Sequence, residues 1–328
     1  MPTNLPPQYF EAEKRYKEAK DPTEKVERLE ELIGTIPKHK GTDHLRADLR
    51  RKLSKLKTAA QPRKKGARRD PAWNIPREGA GRVVLIGCSN AGKSALLAAL
   101  TNAEPEVSEA PFTSWTPTPG MMLVENVQIQ LIDTPSIDRD YLEPMLMDLV
   151  RSADLILVVV DLDADPDQQL ERTLNLLADQ RVHPLRWKGR FDDGVRRSFL
   201  PVLVVANKSE DASDDENFQI FRRLLDEDWH SIAVSARSGR ALDRLRMAVF
   251  ERLEIMRIYS RAPGREADLN TPFVMRKGGT LQEFAALLHH DFYDKLRSAR
   301  VWGKGVYDGQ LVAREHVLYD GDIVELRI

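Results

Sequence analysis

The eight residues Gly87-Cys88-Ser89-Asn90-Ala91-Gly92-Lys93-Ser94 satisfy the spacing G-x-x-x-x-G-K-[ST]. Glycines at the first and sixth places let backbone N–H groups turn inward around phosphate oxygens at the N-terminus of the helix that follows. The backbone from Gly87 through Asn90, Ala91 and Gly92 forms such a cradle, Lys93 can bridge β and γ phosphates, and Ser94 can ligate Mg²⁺. The chemistry implied is the handling of a nucleoside polyphosphate.

Three further short stretches follow in order. Asp133-Thr134-Pro135-Ser136 offers a carboxylate that can hold the magnesium through water, opposite Ser94, although alone it reads equally well as a turn. Asn207-Lys208-Ser209-Glu210 and Ser235-Ala236 complete the set. Together these resemble the motif set of the translation-factor-related GTPases, which implies guanine as the base. By that resemblance Asn207 and Lys208 shape the base pocket, an acid two places on accepts from guanine N1 and N2, and Ser235-Ala236 meet the O6 edge. The family pattern Asn-Lys-x-Asp is altered here, because Glu210 stands at the acid position and Asp211 one place late. Glutamate keeps two carboxylate oxygens but adds a methylene, so guanine selectivity is expected with a looser grip, and Asp211 is the alternative reader.

Elements that can position these residues are legible around them. Short apolar, β-branched runs at 83–86, 127–132, 155–160, 202–205 and 232–234 precede the chemical stretches, as buried strands of a mostly parallel α/β sheet do. Runs 121–124 and 127–132 flank Glu125-Asn126, which predicts one tight antiparallel turn. A helix is expected over 95–100 and a helix-like span over 242–258, followed by a Pro-, Gly- and charge-rich linker at 261–271. The tail 272–328, with a helix near 281–288 and a strand at 322–326, predicts a small α+β, β-grasp-like module. Near the start, Asp21-Pro22-Thr23-Glu24 before Val26, Leu29 and Ile33 predicts a capped amphipathic helix, and Leu45, Leu49, Leu53 and Leu56 predict a second. The expected division is a helical region at 1–60, a basic linker at 61–81, an α/β domain at 82–260, the linker 261–271 and the module 272–328.

Composition narrows the class. With 328 residues, 41% hydrophobic, 31% charged and a mean hydropathy of −0.45, the chain can bury two or three domain cores and is not wholly disordered. The longest apolar run, 155–160, is far short of the ~20 residues a bilayer span needs. The first residues do not read as a signal peptide, and Cys88 as sole cysteine cannot form an internal disulfide, so a cytoplasmic location is expected. Seven histidines and one cysteine offer no zinc spacing. Net charge is −1, yet from Arg46 to Arg69 eleven basic residues face one acid, Asp48. That run is either a solvated face or a contact for RNA.

Ala110-Pro111-Phe112-Thr113-Ser114-Trp115-Thr116-Pro117-Thr118-Pro119-Gly120 is similar to the Pro-Phe-Thr-Thr-x-x-Pro-x-x-Gly switch loop of the Obg and developmentally regulated GTP-binding (DRG) proteins. In that family the second threonine ligates Mg²⁺ when the γ-phosphate is present; the matching residue is Ser114, with Thr113 as the alternative. Thr271-Pro272-Phe273-Val274-Met275-Arg276-Lys277-Gly278-Gly279-Thr280-Leu281, with 299–304 and 316–324, looks like a TGS domain. The N-terminal 35–42 also resembles the lead of DRG proteins. About 40 residues separate Asp161 from Val202, too few for the domain that DRG proteins insert there, so 182–200 is expected as a remnant loop.

The resemblance implies a GTP-hydrolysing switch that cycles between GTP and GDP with Mg²⁺ and acts on the ribosome or RNA, through the basic run and the TGS domain, with an activating protein as a further partner and no membrane. A nucleotide-gated adaptor that scarcely hydrolyses, and a nucleoside-triphosphate enzyme acting on a small molecule, are the alternatives. Ile137 follows Asp133-Thr134-Pro135-Ser136 and cannot orient water as a glutamine does. Asn90 sits where potassium-dependent relatives hold K⁺ beside the phosphates, though it can equally be a loop cap.

Overall fold

A computed structural model of the chain describes residues 7–18, 28–29, 31–35, 49, 73–103, 116–138, 143–211 and 213–327. The switch-loop residues Thr113 and Ser114, the cap at 21–24 and the basic run, Leu49 apart, lie outside the described residues. The chain forms two compact units, residues 1–70 and 71–328.

In the first unit, helix α1 spans Pro7–Glu18. Its Tyr9 and Ala12 are buried in a cluster with Leu29, Leu32 and Leu49. Leu29 was expected on the apolar face of the following helix; Leu32 joins it there, while Ile33 is only partly buried.

The described residues of the second unit begin at Trp73, within the expected linker 61–81. Trp73 and Ile75 pack against the α/β core, and Arg77 pairs with Asp154, so this stretch is anchored rather than loose. A six-stranded sheet follows, built from β1 (Arg82–Ile86), β2 (Thr118–Val124), β3 (Val127–Asp133), β4 (Leu155–Asp161), β7 (Val202–Asn207) and β8 (Ser231–Ala233) in the order β2-β3-β1-β4-β7-β8. Only β2 runs antiparallel, joined to β3 by the turn at Glu125-Asn126.

Alternate side chains divide between two cores, as strand geometry requires. Val83, Leu85, Leu157 and Val159 meet helices α2 (Lys93–Leu100) and α6 (Leu242–Arg252) on one face. Val84, Ile86, Ile156 and Val158 meet α3 (Pro144–Arg151), α4 (Pro166–Asp179) and α5 (Ser213–Leu224) on the other. Every residue of β4 is buried, which explains why its sequence is a continuous apolar run without alternation.

Between α4 and β7 the chain is more ordered than the expected remnant loop. Strands β5 (Val182–Pro184) and β6 (Ser198–Leu200) pair in parallel around the rings of His183, Phe191 and Phe199.

The C-terminal sheet has the order β10-β9-β13-β11-β12, from β9 (Ile255–Ser260), β10 (Phe273–Arg276), β11 (Ser298–Trp302), β12 (Gln310–Val312) and β13 (Asp322–Arg327). Helix α7 (Leu281–Leu288) buries Leu281, Phe284 and Ala285 against it and starts in a capping box of Thr280 and Glu283. A short helix α8 (His290–Lys295) follows.

The strand β9 corrects the expected helix-like span 242–258 and the boundary at 261–271. The helix stops at Arg252, Glu254 turns through φ 51°, and Ile255, Met256, Ile258 and Tyr259 continue as a strand of the second sheet. Asn126 Nδ2 donates to Tyr259 Oη at 3.0 Å and to the Leu269 carbonyl at 2.9 Å, so the small sheet abuts the β2–β3 turn. That turn lies at the start of β3, the end away from Asp133. Among the described residues, no helix is long and apolar enough to cross a membrane.

Candidate nucleotide-binding site

The strands β1, β3, β4 and β7 end at Ile86, Asp133, Asp161 and Asn207, so their carboxyl ends bring the separate motifs to one edge of the sheet. Ligands of doubly wound sheets bind at that edge.

The phosphate loop leaves β1 at Gly87, where a Cβ would stand 2.2 Å from the carbonyl oxygen of Val159 on β4. At Gly92, φ is 88° and a Cβ would meet Asn207 Nδ2 at 2.1 Å. A side chain at Gly87 would run into backbone, and one at Gly92 would be strained by its positive φ and would displace Asn207. Asn90 has φ 58°, a left-handed conformation that asparagine tolerates better than most residues. The buried Lys93 lies back over the loop, its Nζ donating to the carbonyls of Gly87 at 3.0 Å and Cys88 at 2.9 Å.

Ser94 Oγ donates to Asp133 Oδ2 at 2.5 Å. Burial pushes the Asp133 carboxyl up, against the opposing pull of the Ser94 hydrogen bond and the Lys93 charge. Its other oxygen, Oδ1, is buried without a hydrogen-bond partner. A hard-oxygen pair with one orphaned carboxylate oxygen fits Mg²⁺, which favours a few protein oxygens and retains water. Ser94 would be the direct ligand and Asp133 would act through water. Thr134 Oγ1 donates to the Leu85 carbonyl at 2.6 Å and fixes the end of β3 against β1.

At the end of β7, Asn207 ties two loops together rather than projecting outward. Its Nδ2 donates to the Ala91 carbonyl at 3.0 Å, and its Oδ1 accepts from the Ala236 N–H at 3.1 Å. Lys208 has φ 71° and pairs with Asp161 at 2.5 Å. Ser235 is fully buried, and its Oγ accepts from the Ser238 N–H at 3.0 Å.

Asp211 Oδ1 accepts from Ser213 N–H, Ser213 Oγ and Asp214 N–H, and these bonds hold its carboxyl below the usual range. Asp211 is engaged at the start of α5. Glu210 is half exposed, with Arg237 Nη1 3.9 Å from its Oε1.

The sequence matches the family model described as "50S ribosome-binding GTPase" over residues 82–186 and that of the TGS domain over 256–328. An uncharacterised GTP-binding protein of Methanocaldococcus jannaschii is 30% identical, the match covering 93% of this chain and 92% of the relative. Developmentally-regulated G-protein 3 of Arabidopsis thaliana is 26% identical, with 92% and 98% covered, and the developmentally-regulated GTP-binding protein 2 homolog of Dictyostelium discoideum is 24% identical, also with 92% and 98% covered. The chain belongs to the DRG-type GTPases with a C-terminal TGS domain. The match to the first of these relatives runs over 363 positions, more than the 328 residues of this chain, so the relative carries residues that have no counterpart here.

In this DRG-type GTPase the TGS match begins at 256, in agreement with β9 as its first strand. The site thus brings together Gly87, Asn90, Ala91, Gly92, Lys93, Ser94, Asp133, Asn207, Lys208, Glu210, Ser235 and Ala236. Ile137 is buried in the apolar cluster of α3, as a residue that cannot hold water would be. Two participants escaped motif reading. Asp161 partners Lys208, and its only sequence signal is its place after the apolar strand β4. Asp138 accepts from Ser89 N–H at 3.1 Å and Ser89 Oγ at 2.8 Å, closing the segment after Asp133 onto the phosphate loop; no spacing rule flags it. Cys88, beside them, has its thiol pushed up by burial and by the nearby Asp138 charge, so it is a poor nucleophile.

Proposed function

We propose that this protein is a slow GTP-hydrolysing switch of the cytoplasm that acts on the ribosome or on RNA, responding to an activating protein. The observation that carries the reading is the convergence of Lys93, Ser94, Asp133 and Asn207 at one sheet edge, where Ser94 bonds Asp133, Asn207 bonds the phosphate loop at Ala91, and Lys93 lies over its own loop. The phosphate-loop N–H groups and the Lys93 ammonium would hold the β and γ phosphates, and Ser94 with Asp133 would hold the metal. Bound Mg²⁺ supplies positive charge to the oxygens of the transferring group. Ser114, or Thr113 in its place, would complete that metal's ligands from the switch loop.

With an apolar Ile137 behind Asp133, water orientation must come from outside that position, which supports a slow intrinsic rate. Asn90, exposed on the loop, is the residue that would hold K⁺, whose charge would assist as an arginine finger does. Hydrolysis should rise in KCl relative to NaCl at equal ionic strength, and Asn90→Ala should remove the difference while Mg²⁺-GTP binding remains. Equal rates in the two salts would leave an activator-supplied residue as the source.

The ribosome reading is supported by the description of the matching family over residues 82–186 and by the basic run from Arg46 to Arg69. Co-sedimentation with ribosomes, in GDP against a non-hydrolysable GTP analogue, tests it. Retention with the analogue but not with GDP is expected; no retention in either state removes the ribosome from the account.

A further inference from the structure

Guanine selectivity in this chain rests on an acid whose side chain is one methylene longer than the family pattern, and a longer side chain places its oxygens less sharply. Something must fix the backbone that carries it. Three sets of contacts converge on the peptide units around Glu210. Its own N–H donates to Asp214 Oδ2 at 2.7 Å, and the Asp211 N–H donates to the same oxygen at 3.1 Å. On either side of it stand Ser209, which is fully buried, and Asp211, whose carboxylate caps α5.

Arg240 spans both sides. Its Nη1 donates to Ser209 Oγ at 2.9 Å and to the Asp211 carbonyl at 2.7 Å, and its Nη2 donates to Asp215 Oδ2 at 2.7 Å. The residue belongs to the other base-reading loop, where its carbonyl accepts from the Ser235 N–H at 3.1 Å. It sits between Gly239 and Ala241, which have φ 80° and 58°, so the chain turns sharply to present it. One planar fork thus binds the loop after Asn207 to the loop that carries Ser235 and Ala236. A guanidinium is suited to this, because its donors are fixed in direction, whereas an ammonium is a point charge.

Resting on the GTP reading above, we propose that Arg240 is a specificity-positioning residue: it pins the peptides flanking Glu210 and so sets where the Glu210 carboxylate meets the N1 and N2 edge of guanine. The side-chain bonds of Arg240 go to Ser209, Asp211 and Asp215, so its loss should blur base discrimination and leave phosphate and metal handling alone.

The test uses the full chain and compares GDP with IDP, which lacks the exocyclic 2-amino group, by displacement of a fluorescent nucleotide, together with KM and kcat for GTP and ITP. Arg240→Met should lower the GDP-over-IDP preference by about tenfold or more, well within what a hydrogen-bonding site can discriminate, and raise KM for GTP with little change in kcat. Arg240→Lys, which can keep the Asp215 pair but not the fork, should fall between. An unchanged preference in Arg240→Met, or equal losses for GDP and IDP, would overturn the proposal. Should Arg240→Met fail to fold, the Lys variant carries the same comparison: a wild-type ratio in it would count against the proposal and a reduced one for it. Glu210→Ala separates the two levels of the reading. If that variant keeps full guanine preference, the assignment of Glu210 fails and this inference with it; if it loses the preference while Arg240→Met does not, only the role of Arg240 fails.

Discussion

Ser94 Oγ and Asp133 Oδ2 are 2.5 Å apart, linking the first turn of α2 to the end of β3, while Asp133 Oδ1 is buried with nothing to accept from. A carboxylate that holds a metal through water acts as an outer-shell partner, and loss of such partners costs about 10–100-fold in metal affinity or activity. Asp133→Asn should therefore raise the Mg²⁺ concentration needed for half-maximal GTP turnover by about that factor. An unshifted Mg²⁺ titration would remove Asp133 from the metal site.

Asn207 predicts a different phenotype. Because it bonds Ala91 in the phosphate loop and the Ala236 N–H, Asn207→Ala leaves one buried and one part-buried group unpaired, at about 1–3 kcal/mol for the buried one and less for the other. Lower thermal stability should accompany weaker binding of GTP, ITP and ATP alike. A loss confined to guanine nucleotides would mean that Asn207 reads the base instead of lacing the loops.

The fold class was legible in sequence, and so was the gathering of several motifs at one sheet edge. Gly87, Lys93, Ser94, Asp133 and Asn207 are visible because each needs a fixed residue type at a strand end, and strand ends are marked by apolar runs. The β9 strand was hidden for a physical reason: Ile255, Met256 and Ile258 follow a helix with only Glu254, at φ 51°, to break the chain, and no Gly or Pro marks the change of period. The pairing of β5 with β6 was hidden because its stability comes from rings brought together across the chain, His183, Phe191 and Phe199, rather than from strand propensity. Arg240 carried no signal at all, since an arginine in a loop is ordinarily solvated.

The TGS sheet should respond to acid through Arg257 and Asp320. Burial alone would raise the Asp320 carboxyl, but hydrogen bonds from the Arg257 guanidinium, at 2.8 and 3.1 Å, and from the Arg257 N–H, at 2.7 Å, outweigh it and hold it below the usual carboxylate range. A depressed folded value means that the stabilisation is complete above the ordinary carboxylate pKa of about 3.9 and is lost as pH falls through the folded value. Asp320 is 34% exposed, so solvent screening places the contribution near the low end of about 1–3 kcal/mol. Urea unfolding followed at Trp302 should show a drop in stability below pH 4 that Asp320→Asn flattens. Parallel pH profiles for the two proteins would show that the pair contributes nothing.

Neutralising Arg63, Lys64, Lys65, Arg68 and Arg69 together should weaken ribosome or RNA association and flatten its dependence on salt, because fewer counterions are released. GTP affinity should stay as it was. Were the salt slope unaltered, the run would be a solvated surface.

The central claim, that GTP is bound and hydrolysed at the edge formed by 87–94, 133 and 207–210, is tested most directly by phosphate release from GTP in the wild type and in Lys93→Ala and Ser94→Ala. Mg²⁺-dependent release by the wild type, with loss of triphosphate binding or of that Mg²⁺-dependent turnover in both variants, is the predicted result. Unchanged hydrolysis in both variants would contradict it.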